Sequence, residues 1–91
     1  MKFALFYESA DNVGVKAPPH FPAHKARYKE FHARGHLLML GTFADPQQDG
    51  SMAIFTTREA AESFAKADPF VLNGVVRSWY VREWNEVLAT A

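Results

Sequence analysis

Apolar positions fall in short blocks separated by polar turns, and the blocks alternate between two periods. Phe3-Ala4-Leu5-Phe6-Tyr7 is short, rich in aromatics and ends at Glu8-Ser9, which predicts a first strand. The stretch from Ser9 to Pro22 contains Asp11, Asn12, Gly14 and three prolines, so it reads as a long loop, and loops of that length are often functional. From Ala23 to Arg34 the period changes. His24, Tyr28 and Phe31 recur at i, i+4 and i+7, the stripe of an amphipathic helix, with Pro22 suited to its first turn and Gly35 to a left-handed cap.

Leu37-Leu38-Met39-Leu40, closed by Gly41, reads as a second strand. A polar turn from Ala44 to Gly50 joins it to Met52-Ala53-Ile54-Phe55-Thr56 in a hairpin. Thr57 then fits the N-cap of a second helix whose stripe is Ala61, Phe64 and Ala65 and which ends near Ala67. Asp68-Pro69 breaks the chain, Phe70 to Asn73 can form one more helical turn before Gly74, and Val75 to Trp84 is the last strand, with Trp79 and Tyr80 on opposite faces. The order βαββαβ predicts an α+β fold of the ferredoxin-like plait type, a four-stranded antiparallel sheet with both helices on one face.

Two helices cover one face only, so the other should turn polar in a free-standing protomer. It does not. Phe3, Leu5 and Tyr7 oppose Ala4 and Phe6; Met52 and Ile54 oppose Ala53 and Phe55; Leu37 and Met39 oppose Leu38 and Leu40. Covering about 600 Å² of such a face would gain about 15 kcal/mol before the costs of association. A homodimer packed sheet against sheet is the expected solution, with a loop or the C-terminal segment folded over the face as the alternative.

The remaining composition narrows the function more than the fold. Ninety-one residues make one domain, 1–91, and 48% hydrophobic with 14% aromatic residues argues against disorder. Ten Lys plus Arg balance ten Asp plus Glu, so no net field draws nucleic acid or an anionic membrane surface. Without Cys there is no thiol nucleophile and no disulfide framework, which fits a cytoplasmic setting. The longest apolar run, Leu37 to Leu40, is far below the ~18 residues of a membrane span, and neither a signal peptide nor an anchor is expected.

Histidines at 20, 24, 32 and 36 give two H-x3-H spacings. Pro22 interrupts the first pair, Gly35 the second, and no carboxylate stands with them, so no metal is expected. His24 differs from the rest because it shares the inward stripe at the first helical turn, beside the long loop. It can be a buried neutral side chain satisfied by a backbone carbonyl, or the edge of a pocket. Asp68, at a helix C-terminus where the macrodipole disfavours a carboxylate, can bond nearby amides or pair with His24.

Three stretches together resemble one family: Pro22-Ala23-His24-Lys25-Ala26-Arg27, Gly35-His36-Leu37-Leu38-Met39-Leu40-Gly41, and Ala65-Lys66-Ala67-Asp68-Pro69-Phe70 followed by Gly74. The chain resembles the YCII-related (YciI-like) proteins from Phe3 to about Trp84, which implies a ferredoxin-like domain that dimerises into an α/β barrel. The resemblance also implies a His24/Asp68 dyad in a pocket at the sheet edge and chemistry on small cyclic or aromatic catabolites, like that of dehydrochlorinases. Where many relatives carry Arg near the Pro-Ala-His motif this chain has His20-Phe21, and where they carry Gly-Pro after the second strand it has Gly41-Thr42.

The expected activity is that of a cofactor-independent lyase or isomerase in which Asp68 fixes the His24 tautomer and His24 is the general base. Tyr7 and Ser78 are candidates to orient a polar group of the substrate, Tyr7 being equally readable as core. Two alternatives stay open: a non-catalytic dimeric module that binds a small ligand, and a cofactor-free monooxygenase-like barrel.

Overall fold

The computed structural model describes residues 1–90. Its four strands are β1 (Lys2–Ser9), β2 (Leu37–Thr42), β3 (Ser51–Phe55) and β4 (Val76–Trp84), all antiparallel to their neighbours in the order β2-β3-β1-β4. Five helical segments, α1 (Val13–Lys16), α2 (Phe21–Ala33), α3 (Pro46–Asp49), α4 (Arg58–Ala67) and α5 (Pro69–Leu72), join them. The two longer ones, α2 and α4, cover one side of the sheet, giving the α+β ferredoxin-like architecture expected from the element order. Among the described residues no helix is long and apolar enough to cross a membrane.

Register decides which side of the sheet each residue serves. Leu5 lies opposite Ala53 and Val81, and Tyr7 opposite Ser51 and Trp79. Leu5, Tyr7, Ala53 and Phe55 pack with Ala60, Ala61, Phe64 and Ala65 of α4, while Tyr28 and Phe31 of α2 close over them. This is the core, and both Phe55 and Phe64 are completely buried. Residues one step out of phase, including Phe6, Met52 and Tyr80, belong to the uncovered face, where the Phe6 and Tyr80 rings stack at 5.2 Å.

Helix ends follow local chemistry. The Thr57 hydroxyl accepts from the Ala60 amide at 3.1 Å and caps α4. At the end of α2, Gly35 is left-handed at φ 79°, its amide bonds to His32 O, and the His36 amide bonds to Phe31 O. That pair of bonds is a Schellman motif, and it satisfies carbonyls the helix would leave open.

Three sequence expectations need correction. The stretch Ser9 to Pro22 is not an open loop: Asn12, left-handed at φ 56°, starts α1, a 3-10 turn spans Pro18–His20, and α2 begins at Phe21. What holds it is remote in sequence. Gln47 on α3 accepts from the Val13 amide and donates to Ala10 O, each at 2.9 Å, and the Ser9 hydroxyl donates to Pro46 O at 2.6 Å. The polar turn from Ala44 to Gly50 likewise contains α3, capped by Asp45, whose carboxylate accepts from the Gln48 amide. Finally, a register shift between Leu37 and Met39 alters the parity of β2. Leu37 and Leu40 pair with Phe55 and Ala53 of the covered face, whereas Met39 pairs with Ile54.

Gly50 is a place where only glycine fits. Its φ is 74°, and a Cβ there would come within 1.9 Å of the Tyr7 carbonyl oxygen. The chain can therefore turn from α3 into β3 tightly against β1, which brings Ser51 beside Tyr7.

Candidate active site

α2 delivers His24 from its first turn, β1 delivers Tyr7 near its end, and the junction of α4 and α5 delivers Asp68. Forty-four residues separate His24 from Asp68, yet His24 Nδ1 lies 2.8 Å from Oδ1 and 3.0 Å from Oδ2 of the carboxylate. The Tyr7 hydroxyl donates to Oδ2 at 2.6 Å, and the Phe70 amide donates to Oδ1 at 3.1 Å. Asp68 is completely inaccessible, and its backbone carbonyl also accepts from the Val71 and Leu72 amides. It serves at once as the C-cap of α4, the N-cap of α5 and the partner of His24. The two roles weighed for Asp68 from sequence, turn former and histidine partner, coexist.

An ionised carboxylate only accepts, so a hydrogen bond to it places a proton of His24 on Nδ1, and in the neutral ring Nε2 then carries a free lone pair. Among the described residues Nε2 has no protein partner, and no fully enclosed side-chain nitrogen or oxygen lacks one. Nε2 therefore reaches accessible space. The ring itself is held on several sides: Phe70 stacks on it at 3.9 Å and 9°, and Tyr28 meets its edge at 5.3 Å.

Tyr7 is tied to the same carboxylate. Burial above all, then the negative charge of Asp68 and the hydrogen bond to it, push the Tyr7 phenol well above its ordinary value, with Arg27 pulling the other way. Arg27 does more than supply charge. Its guanidinium donates to Phe64 O at 3.2 Å and Ser63 O at 2.9 Å, capping carbonyls near the end of α4, and lies 4.9 Å from the Phe31 ring. This ties α2 to α4 just where Asp68 leaves the helix.

His24 and Tyr7 line a cavity of about 330 Å³ between the sheet and the helices. Val13 and Ala17 of the corrected loop region form part of its wall, with Phe21, Tyr28 and Phe70, and the sheet contributes Leu5, Ala53, Ser51 and Thr42.

Of the four site residues expected from sequence, His24, Asp68 and Tyr7 meet in one network. Ser78 does not join them. It pairs with Glu8 across β1 and β4, one step out of phase with Tyr7 and Trp79, and its hydroxyl bonds the Glu8 carboxylate at 2.5 Å. Sequence reasoning missed Phe70 as the stacking partner, although it stands in the Asp68-Pro69-Phe70 stretch, and missed Thr42 and Ser51 on the cavity wall. Only the strand register reveals that last pair.

The family model for the YCII-related domain matches residues 1–85. The chain belongs to the YCII-related family. Among solved structures it is similar to 5-chloro-2-hydroxyhydroquinone dehydrochlorinase (TftG) from Burkholderia phenoliruptrix AC1100, in complex with 2,5-dihydroxybenzoquinone. The two share 22% identity and superpose with a TM-score of 0.70 over 93% of this chain and 94% of the other. At that identity the likeness is one of fold. No curated protein matches the sequence.

Proposed function

We propose that this protein is a cofactor-independent lyase or isomerase of small cyclic or aromatic molecules, with His24 as general base and Asp68 as the group that orients it. One observation carries the reading: a histidine fixed through Nδ1 by a buried carboxylate, with Nε2 accessible, on the wall of a cavity that admits a small molecule. The resemblance in fold to a dehydrochlorinase supports the same class of reaction.

In such a step Nε2 takes a proton from a carbon beside a carbonyl, or from the enol hydroxyl of a ring already in a keto form whose saturated carbon bears the leaving group, and the electron pair of the broken bond forms an enolate. Collapse of the enolate expels a leaving group from the adjacent carbon as an anion and forms the new double bond, a net loss of HX with no oxidation. Returning the proton to another carbon gives isomerisation instead. Asp68 stabilises the imidazolium formed in between, and Tyr7, with its phenol held neutral, fixes the second carboxylate oxygen.

The uncovered sheet face supports a further part of the proposal, a homodimer packed sheet on sheet. Met39, Tyr80 and Trp84 are exposed at 63%, 40% and 49%, beside the half-buried Phe6 and Met52. Exposed apolar side chains gathered on one side of a sheet favour such a contact.

The test is turnover of a panel of halogenated hydroquinones and β-halocarbonyl compounds, followed by halide release. His24→Ala should lower the rate by about 10²–10⁴ with the fold intact. Equal rates in both proteins would remove His24 from the chemistry, and oxygen consumption coupled to turnover would replace elimination by a monooxygenase reaction.

A further inference from the structure

The lining of the cavity tells more about its ligand than about its chemistry. None of the residues around it is Lys, Arg, Asp or Glu. The polar side chains among them are His24 and five hydroxyls, those of Tyr7, Ser9, Tyr28, Thr42 and Ser51. Two of the hydroxyls are spent inside the protein, Tyr7 on Asp68 and Ser9 on Pro46 O. Thr42 and Ser51 make no side-chain hydrogen bond among the described residues, and they are direct cross-strand partners on β2 and β3. Ser51 is also the partner of Tyr7 on β1, so the three side chains form a row on the sheet wall of the cavity, facing the helix that carries His24.

Resting on the preceding section for the idea that the cavity is a reaction site, we propose that its ligand is an uncharged single-ring molecule bearing hydroxyl or carbonyl oxygens. Thr42 and Ser51 are the specificity residues that hold those oxygens while His24 faces the ring from the other wall. Three physical facts select this class. A volume of about 330 Å³ lies at the small end of the range for ligand pockets, where one ring with substituents fits. A carboxylate or phosphate entering it would lose water and find no Lys or Arg among the lining residues, while the fully buried Asp68 carboxylate sits directly behind His24 and Tyr7 and opposes a second negative charge. A hydrocarbon ring would displace water from the Thr42 and Ser51 hydroxyls and give nothing back, whereas a hydroxyl both donates to and accepts from ligand oxygens.

Binding of three probes to the intact protein tests this by titration calorimetry and ligand-observed NMR: resorcinol, 3,5-dihydroxybenzoate and fluorobenzene. Resorcinol should bind at least about ten-fold tighter than 3,5-dihydroxybenzoate, whose added carboxylate has no partner. In Thr42→Val/Ser51→Ala, resorcinol should weaken about ten-fold while fluorobenzene keeps its affinity, the loss expected for hydrogen bonds removed from an unchanged cavity. Thr42→Ser, which keeps the hydroxyl, should bind resorcinol like the parent protein. Equal or tighter binding of the carboxylate, indifference of resorcinol to the double substitution, or no saturable resorcinol binding would each overturn the assignment. Resorcinol binding with these preferences, but no His24-dependent turnover, would defeat the catalytic reading and leave this one standing.

Discussion

The two faces of the sheet are built from adjacent residues of the same strands and have opposite fates. On the covered face Tyr7 is buried, bonded to Asp68 and linked through it to His24. One residue along, Glu8 faces the other way and forms an exposed hydrogen bond with Ser78. The covered face commits polar groups to a single arrangement because each would otherwise be stranded without water. The open face has no such compulsion. Phe6 stacks on Tyr80 there, and the Arg82 guanidinium lies over the Tyr80 ring at 5.0 Å, all free to meet another surface. Side-chain precision is confined to the face where water is excluded, and that is where reactive geometry can be held.

The sharpest way to break the contrast is to remove the carboxylate. Asp68→Ala leaves the Tyr7 hydroxyl, the His24 Nδ1–H and the Phe70 amide without their acceptor. Unfolding free energy by urea titration should fall by about 3 kcal/mol, since two buried donors and one partly buried donor lose a charged partner at once. A loss under about 0.5 kcal/mol would mean that the network is not under the constraint described.

A change on the open face should act differently. Tyr80→Glu removes the ring between Phe6 and Arg82 and puts a negative charge in its place without touching the buried network. The protomer should unfold within about 1 kcal/mol of the parent, while the proposed sheet-on-sheet dimer gives way to monomer in sedimentation. A dimer that persists unchanged would argue that this face is not the contact between copies.

Much of this contrast was readable in the sequence. The alternation of Phe3, Leu5 and Tyr7 with Ala4 and Phe6 put those residues on the correct opposing faces, and the helical spacing of His24, Tyr28 and Phe31 predicted the inward stripe of α2. The ends were legible where a local motif sets them, as at Thr57 and Gly35. Three features were not. The shift in β2 lies inside Leu37-Leu38-Met39-Leu40, a run without polar residues and so without a parity signal. The helical turns between Ser9 and Pro22 depend on Gln47, whose partners Ala10 and Val13 stand more than thirty residues away. Ser78 was grouped with Tyr7 without a register for β4, and the pairing of Tyr7 with Trp79 puts Ser78 on the other side. Residues 44 apart carry no local mark of their contact, so the residues alone leave the pairing of His24 with Asp68 as one of two readings, and the family resemblance is what favours it.

The protonation of the His24 ring is the most direct test of the central claim, and nitrogen-15 NMR of the imidazole reads it. With the ring in its neutral form the spectrum should show a proton on Nδ1, protected from exchange with water, and an unprotonated Nε2, with both signals losing that pattern in Asp68→Ala. A His24 ring carrying its neutral-form proton on Nε2, or an Nδ1 proton indifferent to the loss of Asp68, would contradict the account.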